Sequence, residues 1–170
     1  NIIAGSSGQA TGYDIDQSLR IYGNGTHLTR SPSSSGNLTT WTLSMWVKPD
    51  MVPKGAESIS NGAEVMFWSA GDAEGNGGYT DFCYLHATND TMYDLRWHMS
   101  AASSLVANKT TTRKFRDPSA WYHFVFVWDT TNVTSTDRMR FYVNGERETS
   151  FSATTDPAIS TPSYLMNVAN

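Results

Sequence analysis

The sequence predicts an all-β protein made of antiparallel strands, and three observations support that class. Short segments rich in aromatic and β-branched side chains follow one another closely, as expected of strands that form a pleated, half-buried surface. Connections rich in Gly, Ser, Asn and Asp separate them, and no stretch shows a convincing helical period. Many short strands with such spacing indicate a sandwich or a barrel.

Residues 1–17 are rich in Gly and Ser, so we interpret them as an N-terminal arm or linker, and residues 18–170 as a single β-sandwich domain. The strands predicted in that domain are Ser18–Tyr22, His27–Ser31, Thr40–Lys48, Glu64–Ser69, Thr80–Thr88, Asp94–Met99, Ser104–Lys109, Trp121–Trp128 and Arg138–Val143.

The strand Thr40–Lys48 alternates regularly and predicts one buried and one polar face. Its two faces are Trp41, Leu43, Met45 and Val47, against Thr42, Ser44, Trp46 and Lys48. By contrast, Trp121–Trp128 is almost entirely aromatic or β-branched, so both of its faces are expected to be covered.

The strand Arg138–Val143 ends at Asn144-Gly145, a dipeptide typical of hairpin turns. A two-residue loop would place Glu148 opposite Phe141 on the apolar face, which is costly for a carboxylate. A three-residue loop with Gly145 left-handed would instead pair Arg140 with Glu148 on the outer face. We therefore predict the three-residue loop.

Charge and hydropathy argue against several classes of partner. The net charge is −4, and no run of Lys and Arg is longer than Arg113-Lys114, so we expect no nucleic-acid binding. No apolar run approaches the ~20 residues of a membrane helix, so we expect no membrane insertion. Cys83 has no second cysteine to pair with and is interpreted as a small buried hydrophobic residue.

Several motifs in order resemble the laminin-G-like, concanavalin-A-like jelly roll. They are the opening strand Ser18–Ile21, the short strand Leu28–Arg30, the T-x-S-x-W-V strand Thr42–Val47, the W-x-H of Trp121–His123 and the Y-V-N-G of Tyr142–Gly145. The resemblance implies an antiparallel two-sheet jelly-roll β-sandwich. Members of the family continue past the region matching 164–170 into two further strands, so the resemblance predicts a sandwich that lacks its last strands or has them supplied by another segment.

Two segments resemble the variant of this family found in virion structural proteins of tailed bacteriophages. They are LTRSPSSSGNLTTWTLSMWVK and FRDPSAWYHFVFVWDTT. That resemblance implies a module on the virion exterior, for capsid decoration or in a tail or fibre. Its expected partners are other virion structural proteins, with cell-surface glycans and a second copy of the chain as further partners. The alternative is a secreted or cell-surface, laminin-G-like carbohydrate-binding adhesin domain with an extracellular location.

An enzymatic function is not expected. Glycan-cleaving relatives of this fold use two carboxylates flanking the sugar bond, in some cases as E-x-D-x-E on one strand, and this sequence has no such motif. The four histidines, His27, His86, His98 and His123, lie singly on different strands, without metal-ligand spacing. We interpret His123 as structural, with its ring hydrogen-bonded inside the sandwich.

Two ligand sites are predicted. The segment GDAEGNGGYTD could gather the oxygen atoms of Asp72, Asn76 and Asp81 around Ca²⁺, the one cofactor the sequence suggests, although a solvated loop is the alternative. Carbohydrate binding requires an exposed ring with polar partners. The residues chosen for that role, because they lie in or beside loops, are Tyr79, Asp81, Asn89, Tyr93 and Trp97, and the alternative for Trp97 is the core.

Overall fold

The computed structural model describes residues 18–21, 27–49, 64–71, 80–89, 92–102 and 104–163. The chain divides into two compact units, Asn1–Ser31 and Pro32–Asn170. Nine strands are found among the described residues, all in the second unit. They are β1 (Thr40–Val47), β2 (Glu64–Gly71), β3 (Thr80–Asn89), β4 (Met92–Ala101), β5 (Ser104–Thr111), β6 (Tyr122–Asp129), β7 (Met139–Val143), β8 (Glu146–Arg147) and β9 (Phe151–Thr155).

The strands form two antiparallel sheets. One has four strands in the order β1-β6-β7-β8, and the other has five in the order β2-β3-β4-β5-β9. A short 3-10 turn, Ser135–Asp137, precedes β7. This arrangement confirms the predicted all-β, antiparallel, two-sheet sandwich. No helix among the described residues is long and apolar enough to cross a membrane.

An aromatic core holds the two sheets together. From the four-stranded sheet, β6 contributes Phe124, Phe126 and Trp128, all fully buried. From the five-stranded sheet, Trp97 of β4 contacts the rings of Phe126 and Trp128, with centroids 5.8 and 5.9 Å away. Burial of large rings is the main stabilising contribution available to such a sandwich. Cys83 is a buried free thiol, as predicted.

Strand alternation explains which side chains enter the core. In β1 the odd-numbered residues Trp41 to Val47 pack against the core, whereas Thr42, Ser44 and Trp46 face outward and are exposed. The one-sided pattern predicted for this strand is therefore confirmed. In β6 the inner face is fully buried and the outer face only half-buried, so the prediction that both faces are covered holds only in part.

The first two predicted strands are not observed. Residues 18–21 and 27–31 have no strand assignment, and Leu19 and Leu28 are 66% and 79% exposed. Alternation of apolar residues alone does not form a stable strand, because a strand also requires neighbouring strands and a covered apolar face. Residues 1–17 and 164–170 lie outside the described residues, so the predicted arm and the missing last strands stay predictions.

The predicted three-residue hairpin loop is wrong. Val143 pairs with Glu146, and Asn144 and Gly145 both have positive φ, 51° and 84°, which defines a two-residue loop of type I′. The backbone N–H of Glu148 donates to Phe141 O at 2.9 Å, which is the register we rejected.

Arg113 makes that register possible. Glu148 is only 7% exposed, and its Oε2 accepts a hydrogen bond from Arg113 Nε at 2.6 Å. A charge-assisted bond of this kind compensates a carboxylate for lost hydration. Arg140, which we had paired with Glu148, lies 3.6 Å from the carboxylate of Asp129 instead. Arg113 is 35 residues from Glu148 along the chain, so the sequence of the hairpin alone does not reveal this partner.

Candidate functional site

The aromatic residues predicted to bind sugar do not offer exposed rings. Trp97 is fully buried and Tyr93 is 3% exposed, so both belong to the core. A sugar stacks on an accessible ring face, and the prediction for these two residues is therefore wrong. Tyr79 and the side chain of Asn89 lie outside the described residues.

Asp81 is also buried, and it faces the core tryptophans. Its Oδ1 accepts a hydrogen bond from Trp97 Nε1 at 3.0 Å. Burial raises the pKa of Asp81 to about 6, although the Trp97 bond and the nearby Trp68 indole offset part of that rise. A carboxylate inside the sandwich cannot reach a sugar or a surface cation, so the assignment of Asp81 to the carbohydrate and calcium sites is wrong.

Asp72 and Asn76 lie outside the described residues, and their part of the calcium prediction stays a prediction. Within the ranges that the structure describes, no three acidic, histidine or cysteine side chains come together as a metal-binding group would.

A different aromatic site lies on the outer face of the four-stranded sheet. Trp46 is 56% exposed and Trp121 is 50% exposed. Together with His123, Asn144 and Gly145 they line a shallow groove of about 480 Å³. We call it the tryptophan groove. Large exposed rings beside one another are uncommon on a soluble surface and mark interaction sites.

Strand pairing builds the floor of this groove. Trp46 of β1 is directly opposite His123 of β6, and their rings stack with centroids 4.9 Å apart and an angle of 22°. The imidazole Nε2 lies 2.8 Å from Ser44 Oγ, which fixes its orientation. Trp121 is two residues before His123 and therefore faces the same side.

The hairpin turn supplies the other wall. Asn144 Oδ1 accepts a hydrogen bond from the backbone N–H of His123 at 2.8 Å, and Asn144 N–H donates to His123 O at 2.8 Å. These two bonds fix the tip of the β7-β8 hairpin against β6. Since Oδ1 is in use, the Nδ2 donors of Asn144 have no hydrogen-bond partner among the described residues. The groove therefore has an amide donor beside two indoles.

His123 does not have the interior position predicted for it. Its ring lies on the outer face between Ser44 and Trp46 and is half-buried, whereas the next residue, Phe124, is the first fully buried ring of β6. The sequence contained a usable signal, because alternation already put Trp46 on the polar face of β1. A tryptophan on a polar face needs a ligand or a partner to explain it.

The groove has the chemistry of a binding site rather than of a hydrolase. Indole faces can stack on the C–H face of a sugar, while imidazole and amide groups can bond its hydroxyls. Acid-base cleavage of a glycosidic bond requires two carboxylates, and none of the five lining residues is an acid. The fold is thus a two-sheet β-sandwich with an aromatic groove on the outer face of one sheet.

A family comparison agrees with that class. Residues 22–168 match the model of the concanavalin A-like lectin/glucanases superfamily, in its laminin-G type. The chain belongs to this family, and the resemblance noted from the sequence is confirmed at that level. Such domains are generally non-catalytic and suggest carbohydrate binding or adhesion. Comparisons with curated proteins and with solved structures found no match.

Proposed function

We propose that this chain is a non-enzymatic carbohydrate-binding module and that glycans bind in the tryptophan groove. The observation that carries the proposal is the exposed Trp46 ring, stacked on His123 next to a second exposed indole, Trp121. An indole held in place by a neighbouring ring loses little conformational freedom when a sugar stacks on it.

The polar groups of the groove suit a neutral sugar. Asn144 Nδ2 can donate a hydrogen bond, and His123 has its Nδ1 side without a described partner. The groove is shallow and open along the sheet, which favours recognition of one or two sugar units of a longer chain over enclosure of a small molecule. Open sites of this kind give weak affinity for each site, and several copies strengthen binding through avidity.

The virion exterior is our proposed location, and it rests on the sequence resemblance alone. In that setting the module would bind other virion structural proteins, and the groove would face host-surface glycans. A secreted or cell-surface adhesin with the same groove is the alternative. Mass spectrometry and an ordered density for the chain in a map of purified particles would support the first location, and detection at a cell surface would support the second.

Loss of either ring of the groove should weaken glycan binding. Neutral oligosaccharides are screened on a glycan array, and the best one is titrated by NMR against the wild type, Trp46→Ala and Trp121→Ala. We expect each substitution to weaken binding about fivefold to thirtyfold, since a stacked aromatic contact contributes roughly 1–2 kcal/mol.

The matched control is Val133→Ala, which removes an exposed apolar side chain outside the groove and should leave the affinity unchanged. The proposal fails if no glycan binds the wild type, or if a bound glycan moves the resonances of residues elsewhere and tolerates both tryptophan substitutions.

A further inference from the structure

Lys109 is the only lysine among the described residues whose side chain is buried. It reaches from β5 of one sheet to β7 of the other, and 4% of its side-chain surface is exposed. Two backbone carbonyls accept hydrogen bonds from its Nζ, Met139 O at 2.7 Å and Thr136 O at 3.2 Å. The ring of Phe151 covers the same amine, with its centroid 4.9 Å away. The amine is therefore held in one position and shielded from water.

The carboxyl group of Asp156 faces this amine. Asp156 directly follows β9, the neighbour of β5, and Thr154 is the partner of Lys109 in the strand register. Its Oδ1 lies 3.2 Å from Lys109 Nζ, and its side chain is 18% exposed. That oxygen is buried and has no hydrogen-bond partner among the described residues, so the two groups are close without the alignment of an N–H···O bond. An amine and a carboxyl group thus lie in contact in a site that fixes both.

Burial favours the neutral form of the Lys109 amine. It lowers the pKa of Lys109, although the charge of Asp156 offsets part of that change. Transfer of one proton from the ammonium to the carboxylate leaves two neutral groups in contact, with no change in net charge. A neutral lysine has two N–H donors, and two carbonyls accept from Nζ here, which leaves its lone pair on the side of Asp156. A desolvated lysine in its neutral form is a nucleophile.

A second lysine–aspartate pair, at nearly the same distance, shows what burial adds. Lys114 Nζ lies 3.1 Å from Asp94 Oδ2, but the Lys114 side chain is 26% exposed. Asp94 Oδ1 also accepts a hydrogen bond from Arg96 Nε at 2.9 Å. Two cations share that one carboxylate, and the Lys114 amine is in contact with water, so an ordinary ion pair is expected there. Distance alone therefore does not distinguish the Lys109–Asp156 pair, whereas burial of the amine does.

We propose that Lys109 and Asp156 condense into an intramolecular isopeptide bond. Lys109 Nζ attacks Asp156 Cγ, a C–N bond forms, and one C–O bond of the carboxyl group breaks. The departing hydroxyl group takes one amine proton and leaves as water, so atoms and charges balance without a co-reactant. Fixed placement of the two groups supplies the reactivity that free amines and carboxyls lack in water. The bond attaches the end of β9 to β5, and it does not depend on glycan binding in the tryptophan groove.

Mass spectrometry of the purified full chain tests the proposal. The folded protein is incubated until its mass no longer changes and is then measured under denaturing conditions. We expect a mass lower than that of the sequence by one water molecule. Trypsin should release a branched peptide in which residues 97–113, uncut at Lys109, are joined to residues 148–170. An unmodified mass in the wild type would overturn the proposal and leave an ordinary ion pair between Lys109 and Asp156.

Four variants assign the bond to its two residues. Lys109→Arg and Asp156→Ala should both keep the full mass, because each lacks one of the reacting groups. Asp156→Asn should reach the same final mass as the cross-linked wild type, with ammonia lost in place of water. The matched control Lys114→Arg, in the exposed pair with Asp94, should still lose water. A loss of water that persists in Lys109→Arg, or a branched peptide that joins other residues, would overturn the assignment, and the wild-type peptide decides even where a variant does not fold.

Discussion

The six tryptophans of this chain divide into an exposed pair and a buried group. Trp46 and Trp121 stand on the outer face of the four-stranded sheet. The others, Trp41, Trp68, Trp97 and Trp128, pack in or against the core. Under the proposed function, the same type of side chain serves binding in one place and stability in the other, and the face of the sheet on which it lies decides which. Composition alone cannot make that distinction.

The largest difference between the two groups of tryptophans should be the loss of unfolding free energy when one of them is replaced by alanine. Trp97→Ala removes a fully buried ring that contacts five other aromatic side chains, so we expect the free energy of unfolding to fall by about 3–5 kcal/mol. Trp46→Ala should lower it by at most about 1 kcal/mol, because only the stacking on His123 is lost. Urea denaturation measures both, and equal losses would contradict the division.

Asp81, which accepts a hydrogen bond from the buried Trp97, should make the free energy of unfolding depend on pH. Burial raises the pKa of Asp81 from 3.8 to about 6, so the folded protein holds this proton more tightly than the unfolded chain does. Ionisation of Asp81 therefore destabilises the fold progressively as pH rises from about 4 through 6. At neutral pH the cost is about 3 kcal/mol.

Asp81→Asn isolates that contribution. The amide cannot ionise, yet its oxygen can still accept the Trp97 hydrogen bond. The difference in unfolding free energy between Asp81→Asn and the wild type should increase in favour of the variant from about pH 4 to pH 7 and stay constant above. A difference that does not vary with pH would show that Asp81 has an ordinary pKa, and the view of a strained acid among the core tryptophans would then be wrong.

The smallest effect concerns the turn beside the exposed pair. Gly145 has φ +84°, and nothing lies within 4 Å of the position that a Cβ would occupy. Gly145→Ala therefore strains the backbone, but the new methyl group does not clash with other atoms. We expect a loss of about 1 kcal/mol in unfolding free energy, with an unchanged near-ultraviolet circular dichroism spectrum from the buried tryptophans. Gly145→Asn should lose less, since Asn tolerates this conformation. A much larger loss of unfolding free energy in both variants, as a steric clash would cause, would contradict the free space around Gly145.

The sequence predicted the fold better than the site. Alternation in Thr40–Lys48 and the aromatic run before Trp128 correctly identified β1 and β6, because each pattern is a local record of which face is buried. The register at Glu148 failed because Arg113 lies far away along the chain. The sugar-binding predictions for Asp81, Tyr93 and Trp97 failed for a similar reason: proximity to a loop says nothing about which face of the strand is covered.

The groove became visible only when two strands were placed side by side. Trp46 and His123 are 77 residues apart in the sequence, and only the β1-β6 register makes them stack. Asn144 then joins them through a turn that was itself predicted in the wrong register. Each residue was noted in the sequence, but their juxtaposition is a tertiary property.

The strand β6 has a consequence for how such a module changes over evolution. Its inward positions, Phe124, Phe126 and Trp128, maintain the fold, while the outward residue His123 and the neighbouring Trp121 face solvent. Substitutions on the outer face are nearly neutral for folding, so selection can alter ligand preference there without first compensating the core. If the groove binds ligand as proposed, residues of one strand that set ligand preference can change over evolution while the alternate residues continue to stabilise the fold.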